Sequence, residues 1–136
     1  LFRALHRAGL ASSPVSVHRA DGLLLTDVLI TAVAHCAPPQ NRLTAKEIAN
    51  CSVHFARVLA VRPWKAILCL GSVAWYQTLK MTGSARSAFG HGAEAIAPSG
   101  AILLGCYHPS QQNTFTGRLT EAMLDQIVGR FATIGR

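Results

Sequence analysis

The chain has 136 residues, half of them hydrophobic, which suits one globular domain with a real core and excludes a disordered segment. No apolar run approaches the roughly 20 residues needed to cross a bilayer, and no charged, apolar and cleavage-site succession marks a secretory leader, so the sequence reads as a soluble intracellular protein. Thirteen Lys and Arg against six Asp and Glu leave a net charge of +7, a balance that favours polyanionic partners through counterion release.

Leu1, Phe2, Leu5 and Leu10 recur at helical spacing, with Gly9 as a stop. The polar stretch 11–22 then reads as a loop. "VLITAVAH", Val28 to His35, is rich in β-branched residues and apolar on both faces, which predicts a buried strand ended by Pro38 and Pro39. Thr44 and Glu47, three apart, have the spacing of a capping box and open a helix whose apolar stripe is Ile48, Cys51, Phe55, Val58 and Leu59. "AILCLGS", Ala66 to Ser72, predicts a second buried strand, followed by a short helix to about Leu79. Residues 81–100 look irregular, broken by Gly83, Gly90, Gly92 and Gly100. "AILLGCY", Ala101 to Tyr107, predicts a third strand. After the polar loop that begins at His108, the residues Leu119, Met123, Leu124, Ile127, Val128 and Phe131 line one face of a closing helix.

Strands alternating with helices imply an α/β fold, a parallel sheet covered on both sides. In such sheets the loops leaving the carboxyl ends of the strands gather at one edge, where ligands bind. That rule places the loops 36–42, 71–72 and 108–113 around a shared crevice.

Within those loops, His108 follows an apolar strand and precedes Pro109, which holds its backbone extended. Its imidazole suits stabilisation of developing negative charge or proton transfer; alternatively it is a turn histidine bonded to its own loop. Ser110 and neighbouring amides offer a phosphate cradle or an ordinary turn. Gln111, Gln112 and Asn113 line a nucleic-acid groove or are merely solvated. Asn41 presents a donor and an acceptor together, matching the imide edge of a pyrimidine, or else makes a turn ahead of the Thr44 cap.

The four cysteines lack paired short spacings, which argues against a disulfide scaffold and for reduced thiols or metal ligation. Cys36 and Cys51 could supply two thiolates to a cluster, though two cannot complete a four-thiolate site. With His35 and His54 they could form a zinc site, and Cys51 alone could be a core residue on its helix stripe. Cys69 and Cys106 lie inside strands and read as buried structural thiols. The acids are poorly placed for paired-carboxylate hydrolysis: Asp27 precedes a strand, Glu47 is a cap, Glu121 and Asp125 belong to the last helix, and only Asp21 and Glu94 fall in loops.

Taken together, "HCAPPQNRLTAKEIANC" and "YHPSQQNTFTGRLTEAMLD" resemble the type 5 uracil-DNA glycosylases, an iron–sulfur branch of the uracil-DNA glycosylase superfamily. "LFRALHRAGLA", "CLGSVAW" and "FGHG" follow in matching order, so the likeness covers nearly the whole chain. The resemblance implies a three-layer α/β/α sandwich with a central, mostly parallel sheet. It implies that Asn41 reads a flipped base and that His108 hydrogen-bonds the uracil carbonyl as the glycosidic bond breaks. Ser110 and the loop after it, with Gln111, Gln112, Asn113 and Arg118, would hold the DNA backbone and press into the minor groove. Cys36 and Cys51 would be the later two of four thiolates on a [4Fe-4S] cluster. The partner would be double-stranded DNA containing uracil, with other deaminated bases as further substrates, and the protein a cytoplasmic monomer of a bacterium or archaeon.

Two departures accompany the likeness. Where the family usually has "NKPT" this chain has "NRLT". The Gly-rich motif that carries a water-activating acid and a base-stacking aromatic, and the first two cluster cysteines, do not occur in this sequence. Opening inside a helical pattern without Met, residues 1–136 are expected to be a single domain incomplete at its amino end, inactive by itself. The rival readings are a DNA-binding or damage-recognising module without catalysis, and a small zinc protein using Cys36, Cys51, His35 and His54.

Overall fold

The computed structural model describes residues 1–36, 40 and 42–136. Three strands, β1 (Ala66–Leu70), β2 (Glu94–Ile96) and β3 (Ile102–Cys106), form one sheet in the order β1-β3-β2. β1 and β3 are parallel, with Ala66 opposite Ile102 and Leu70 opposite Cys106. β2 joins β3 antiparallel, Glu94 opposite Leu104, so the described sheet is mixed, one pair of each kind, where mostly parallel pairing is expected from the sequence. The strand β2 lies in the stretch expected to be irregular; at three residues it is too short for alternation to announce it.

Alternation of side chains along the strands divides the interior in two. Leu68 and Leu70 of β1 and Ile102, Leu104 and Cys106 of β3 face the helices α1 (Phe2–Arg7) and α5 (Glu121–Gly135). Ile67, Cys69 and Leu103 face the other way, onto α3 (Ser72–Thr82) through Trp75 and Leu79. Helices therefore cover both faces of the central strands, which is the α/β/α layering of an α/β fold. Leu103, Leu104, Trp75, Val128 and Cys106 are fully buried, and Cys69 nearly so, which bears out the reading of both strand cysteines as core thiols. Burial pushes both thiols up to about 11, because an apolar surrounding disfavours the thiolate.

Local signals fix the helix ends. Thr44 accepts the Glu47 amide at 3.2 Å while the Glu47 carboxylate accepts the Thr44 amide at 2.7 Å, the reciprocal cap that starts α2 (Ala45–Ala60). Thr120 caps α5 through the Met123 amide, and Leu124, Ile127, Val128 and Ala132 then recur on its buried face. α1 is held against α5 by Leu5 and by Arg7, which donates to Glu121 at 2.8 Å and Asp125 at 2.7 Å. No described helix is long and apolar enough to cross a membrane.

The expected strand at Val28–His35 does not form: none of these residues pairs, and Leu29 and Ile30 stay about half exposed at 48% and 46%. The neighbouring chain makes a single antiparallel bridge, Ala11 to Leu25. β-Branched composition states only that a segment would suit a pleated, half-buried surface; a strand needs a neighbouring backbone to satisfy its amides and carbonyls.

Candidate functional site at the carboxyl edge of the sheet

The parallel neighbours β1 and β3 end side by side. The Gly71 amide continues their ladder by donating to the Cys106 carbonyl at 2.8 Å, and this brings Gly71 against His108. Gly71 has φ +95°, a left-handed conformation that calls for glycine, and a Cβ there would rest in ordinary contact, 3.4 Å, with that of His108.

Beyond β3 the chain folds tightly on the His108 carbonyl. That oxygen accepts the Ser110 amide and the Asn113 side-chain amide, both at 2.8 Å. The Ser110 hydroxyl accepts the Asn113 backbone amide at 3.2 Å, capping a five-residue helix, α4 (Gln111–Phe115), where the sequence suggests only a loop. Asn113 returns a carbonyl to the amide of Leu119, a core residue, at 3.1 Å. The loop is thus one rigid block in the frame of His108. Its backbone, not its imidazole, makes these turn bonds, and among the described residues no hydrogen bond engages the ring, which stands exposed.

The loop's polar residues divide by role. Asn113 is consumed by structure. The Ser110 oxygen accepts the cap bond, which leaves its hydroxyl proton free to donate outward. Gln111 and Gln112 are exposed, as is Phe115 at 84%, and Arg118 lies over the Tyr107 ring at 4.6 Å.

These groups surround a cavity of about 320 Å³ lined by Leu70, Gly71, Ser72, Val73, Phe89, Tyr107, His108, Asn113 and Arg118. That size is at the small end of ordinary ligand sites, roughly 300–1,000 Å³. Ser72 belongs to the loop 71–72 expected at this crevice, whereas Phe89 and Tyr107 are not among the residues picked from the sequence. Tyr107 was within reach of the strand-end argument that selects His108, whereas Phe89 arrives from a distant loop. That loop is placed by its backbone: the Trp75 indole donates to the Ser87 carbonyl at 2.9 Å, the Phe89 amide donates to the Tyr76 hydroxyl at 3.3 Å, and Gly92 and Ala93 bond Gly105. A Cβ on Gly105 would sit 2.6 Å from the Gly90 carbonyl oxygen, so the approach requires glycine.

Among the described residues no carboxylate lines the cavity. Glu94 is tied to Arg130 at 2.7 Å and 3.1 Å, which holds its carboxyl below the usual range, and Asp21 is lowered by the Leu23 and Val17 amides it accepts within its own turn.

Of the three loops expected to converge, the structure brings together two, 71–72 and 108–113. Asn41 lies outside the described residues. Cys36 and Cys51 are placed side by side: desolvation and the neighbouring Cys51 thiol push the Cys36 thiol up, and Cys51 accepts the His35 amide at 3.5 Å. Cys51 is therefore turned toward Cys36 rather than spent in the core. The His35 and His54 rings are 5.4 Å apart. Among the described residues no group of three or more His, Cys, Asp or Glu is arranged to hold a metal ion, which counts against a self-sufficient zinc site. A thiol pair is what half of a four-thiolate site requires.

A sequence profile of the uracil DNA glycosylase superfamily matches residues 1–132. The Type-5 uracil-DNA glycosylase of Mycobacterium tuberculosis is 48% identical over 132 residues, covering 93% of this chain and 49% of the relative. Proteins of the same name are 44% identical in Pyrobaculum aerophilum, over 97% of this chain and 58% of the relative, and 40% identical in Thermus thermophilus, over 94% and 59%. The chain thus spans about half to three-fifths of the length of these curated relatives.

Proposed function

The chain belongs to the uracil DNA glycosylase superfamily, and from that premise we propose that the full-length protein removes uracil from double-stranded DNA by hydrolysing the N-glycosidic bond. The observation that carries this reading is the exposed His108 imidazole, held by a self-bonded loop on the wall of a small cavity where two parallel strands end.

A stacked base cannot be attacked, so it must swing into a pocket at a cost of a few kcal/mol. Excision leaves a uracil anion and a sugar with cationic character. A donor carried beside the uracil carbonyl on a braced loop stabilises the charge as it develops, and that is the role assigned to His108. Asn41 pairs with the imide edge of the base and gives specificity. The free proton of Ser110 donates to a backbone phosphate, Arg118 supplies positive charge, and Gln111, Gln112 and Phe115 are what α4 offers to the minor groove left by the base. The net charge of +7 draws the polyanion in.

Cys36 and Cys51 would supply two of the four thiolates for a [4Fe-4S] cluster. When bound, it would brace the adjoining loops away from the scissile bond. By the family resemblance, water activation and base stacking fall to an acid and an aromatic elsewhere in the full-length protein, of whose single catalytic domain residues 1–136 are a part. The protein works as a monomer in the cytoplasm, and other deaminated bases enter the same pocket.

The test is incubation of the full-length protein with a duplex carrying one uracil, then alkaline cleavage at any abasic site. Strand scission at uracil and none in the thymine control is expected, with Asn41→Ala slowing the reaction strongly. Tight binding without scission would replace the reading with a damage-recognition module.

A further inference from the structure

We propose that Tyr107 is a positioning residue: its ring holds the Arg118 guanidinium at the cavity wall as a ready-made seat for a DNA backbone phosphate. The proposal rests on the DNA-processing reading above and adds to it the residue through which Arg118 works.

The arginines of this fold are used differently. Arg7 and Arg130 have their charge engaged by carboxylates at 2.7–2.8 Å. Arg118 has no ion pair among the described residues; its only described partner is an aromatic face, with the guanidinium carbon 4.6 Å from the Tyr107 ring centre. A π face attracts a cation without neutralising it, so the guanidinium keeps its in-plane N–H donors for an incoming anion. Both residues line the same cavity as His108.

The ring beneath Arg118 is itself fixed. Phe89 meets it edge-on at 6.0 Å and His91 lies 5.4 Å away, and the Tyr107 amide donates to His91 Nδ1 at 3.4 Å. On the other side, Arg118 is anchored between the end of α4 and the buried Leu119. A flexible arginine pays side-chain entropy each time it engages a phosphate; one already held over a fixed ring pays less. Planar, bidentate donation suits a phosphate oxygen pair, and this is a task a lysine cannot copy.

The experiment measures affinity of the full-length protein for uracil-containing duplex DNA across a salt series, with single-turnover excision in parallel. Arg118→Gln is expected to weaken binding about tenfold and to lower the salt slope by about one. Tyr107→Leu should weaken binding roughly twofold to fivefold, Tyr107→Phe should keep wild-type affinity, and the Tyr107→Leu/Arg118→Gln double variant should bind no worse than Arg118→Gln alone. Additive losses in the double variant, or wild-type affinity in Tyr107→Leu, would overturn the proposal. If Tyr107→Leu does not fold, Arg118→Lys decides at an exposed position: it retains charge without the planar, forked guanidinium, so a loss of affinity supports the proposal and wild-type binding refutes it. Failure of the wild type to excise uracil while these binding effects appear would count against the glycosylase reading alone, and absence of DNA binding would remove both.

Discussion

Two apolar stretches of similar β-forming character, residues 28–35 and 101–107, meet opposite fates, and each precedes a loop that carries candidate site residues. The second becomes β3, the central strand, paired on both edges, with Leu103 and Leu104 fully buried. The first pairs with nothing among the described residues and leaves Leu29 and Ile30 about half exposed. One stretch sets His108 on a sheet edge with its position fixed by a hydrogen-bonded ladder; the other brings His35 and Cys36 to Cys51 through side-chain contact. The difference teaches that placement of a reactive group depends on what its flanking strand is bonded to, not on the strand's composition.

The comparison can be tested by mutating each side. Leu104→Ala should cost about 2–5 kcal/mol in denaturant unfolding, because the side chain is wholly enclosed and its loss leaves a cavity; a cost under 1 kcal/mol would mean that β3 is not the centre of the core. Gly105→Ala comes next, at about 1–3 kcal/mol, since its new methyl would meet the Gly90 carbonyl and push the Phe89 loop off the site. This variant should also weaken excision, and unchanged melting would show that the loop approach is looser than described. Cys69→Ala sharpens the account through pH. The folded thiol lies at about 11, above its ordinary 9.0, so its contribution is complete below pH 9 and is lost as pH rises through 11. Wild type should lose about 1 kcal/mol more stability than the variant between pH 8 and pH 10. On the other stretch, Ile30→Ala should change stability by less than about 0.5 kcal/mol, the ordinary effect at an exposed position; a large loss there would place residues 28–35 in a packed interface and erase the contrast.

What the sequence made legible follows the same logic. Signals contained within a few residues were readable: the Thr44–Glu47 cap, the apolar face of α5, the apolar run 101–107 that becomes β3. Signals that depend on distant partners were not. β2 exists because β3 offers it an edge, and the strand expected at 28–35 lacks such a neighbour. α4 was hidden because it is only five residues long and Asn and Thr are poor helix formers, and the turn persists through the Ser110 cap and the tie to Leu119. At the site, His108 could be picked out by its place after a strand and before a proline. Phe89 could not, since only the Trp75 and Tyr76 hydrogen bonds carry its loop to the cavity.

The central claim is that His108 acts on the departing base and contributes little to holding DNA. Single-turnover excision of uracil from duplex DNA by the full-length protein, wild type against His108→Ala at saturating enzyme, tests it most directly. The account predicts a rate lowered about 10²–10³-fold with DNA affinity within about twofold, as for loss of one donor to a developing anion. Wild-type turnover in His108→Ala, or a loss confined to binding, would contradict it.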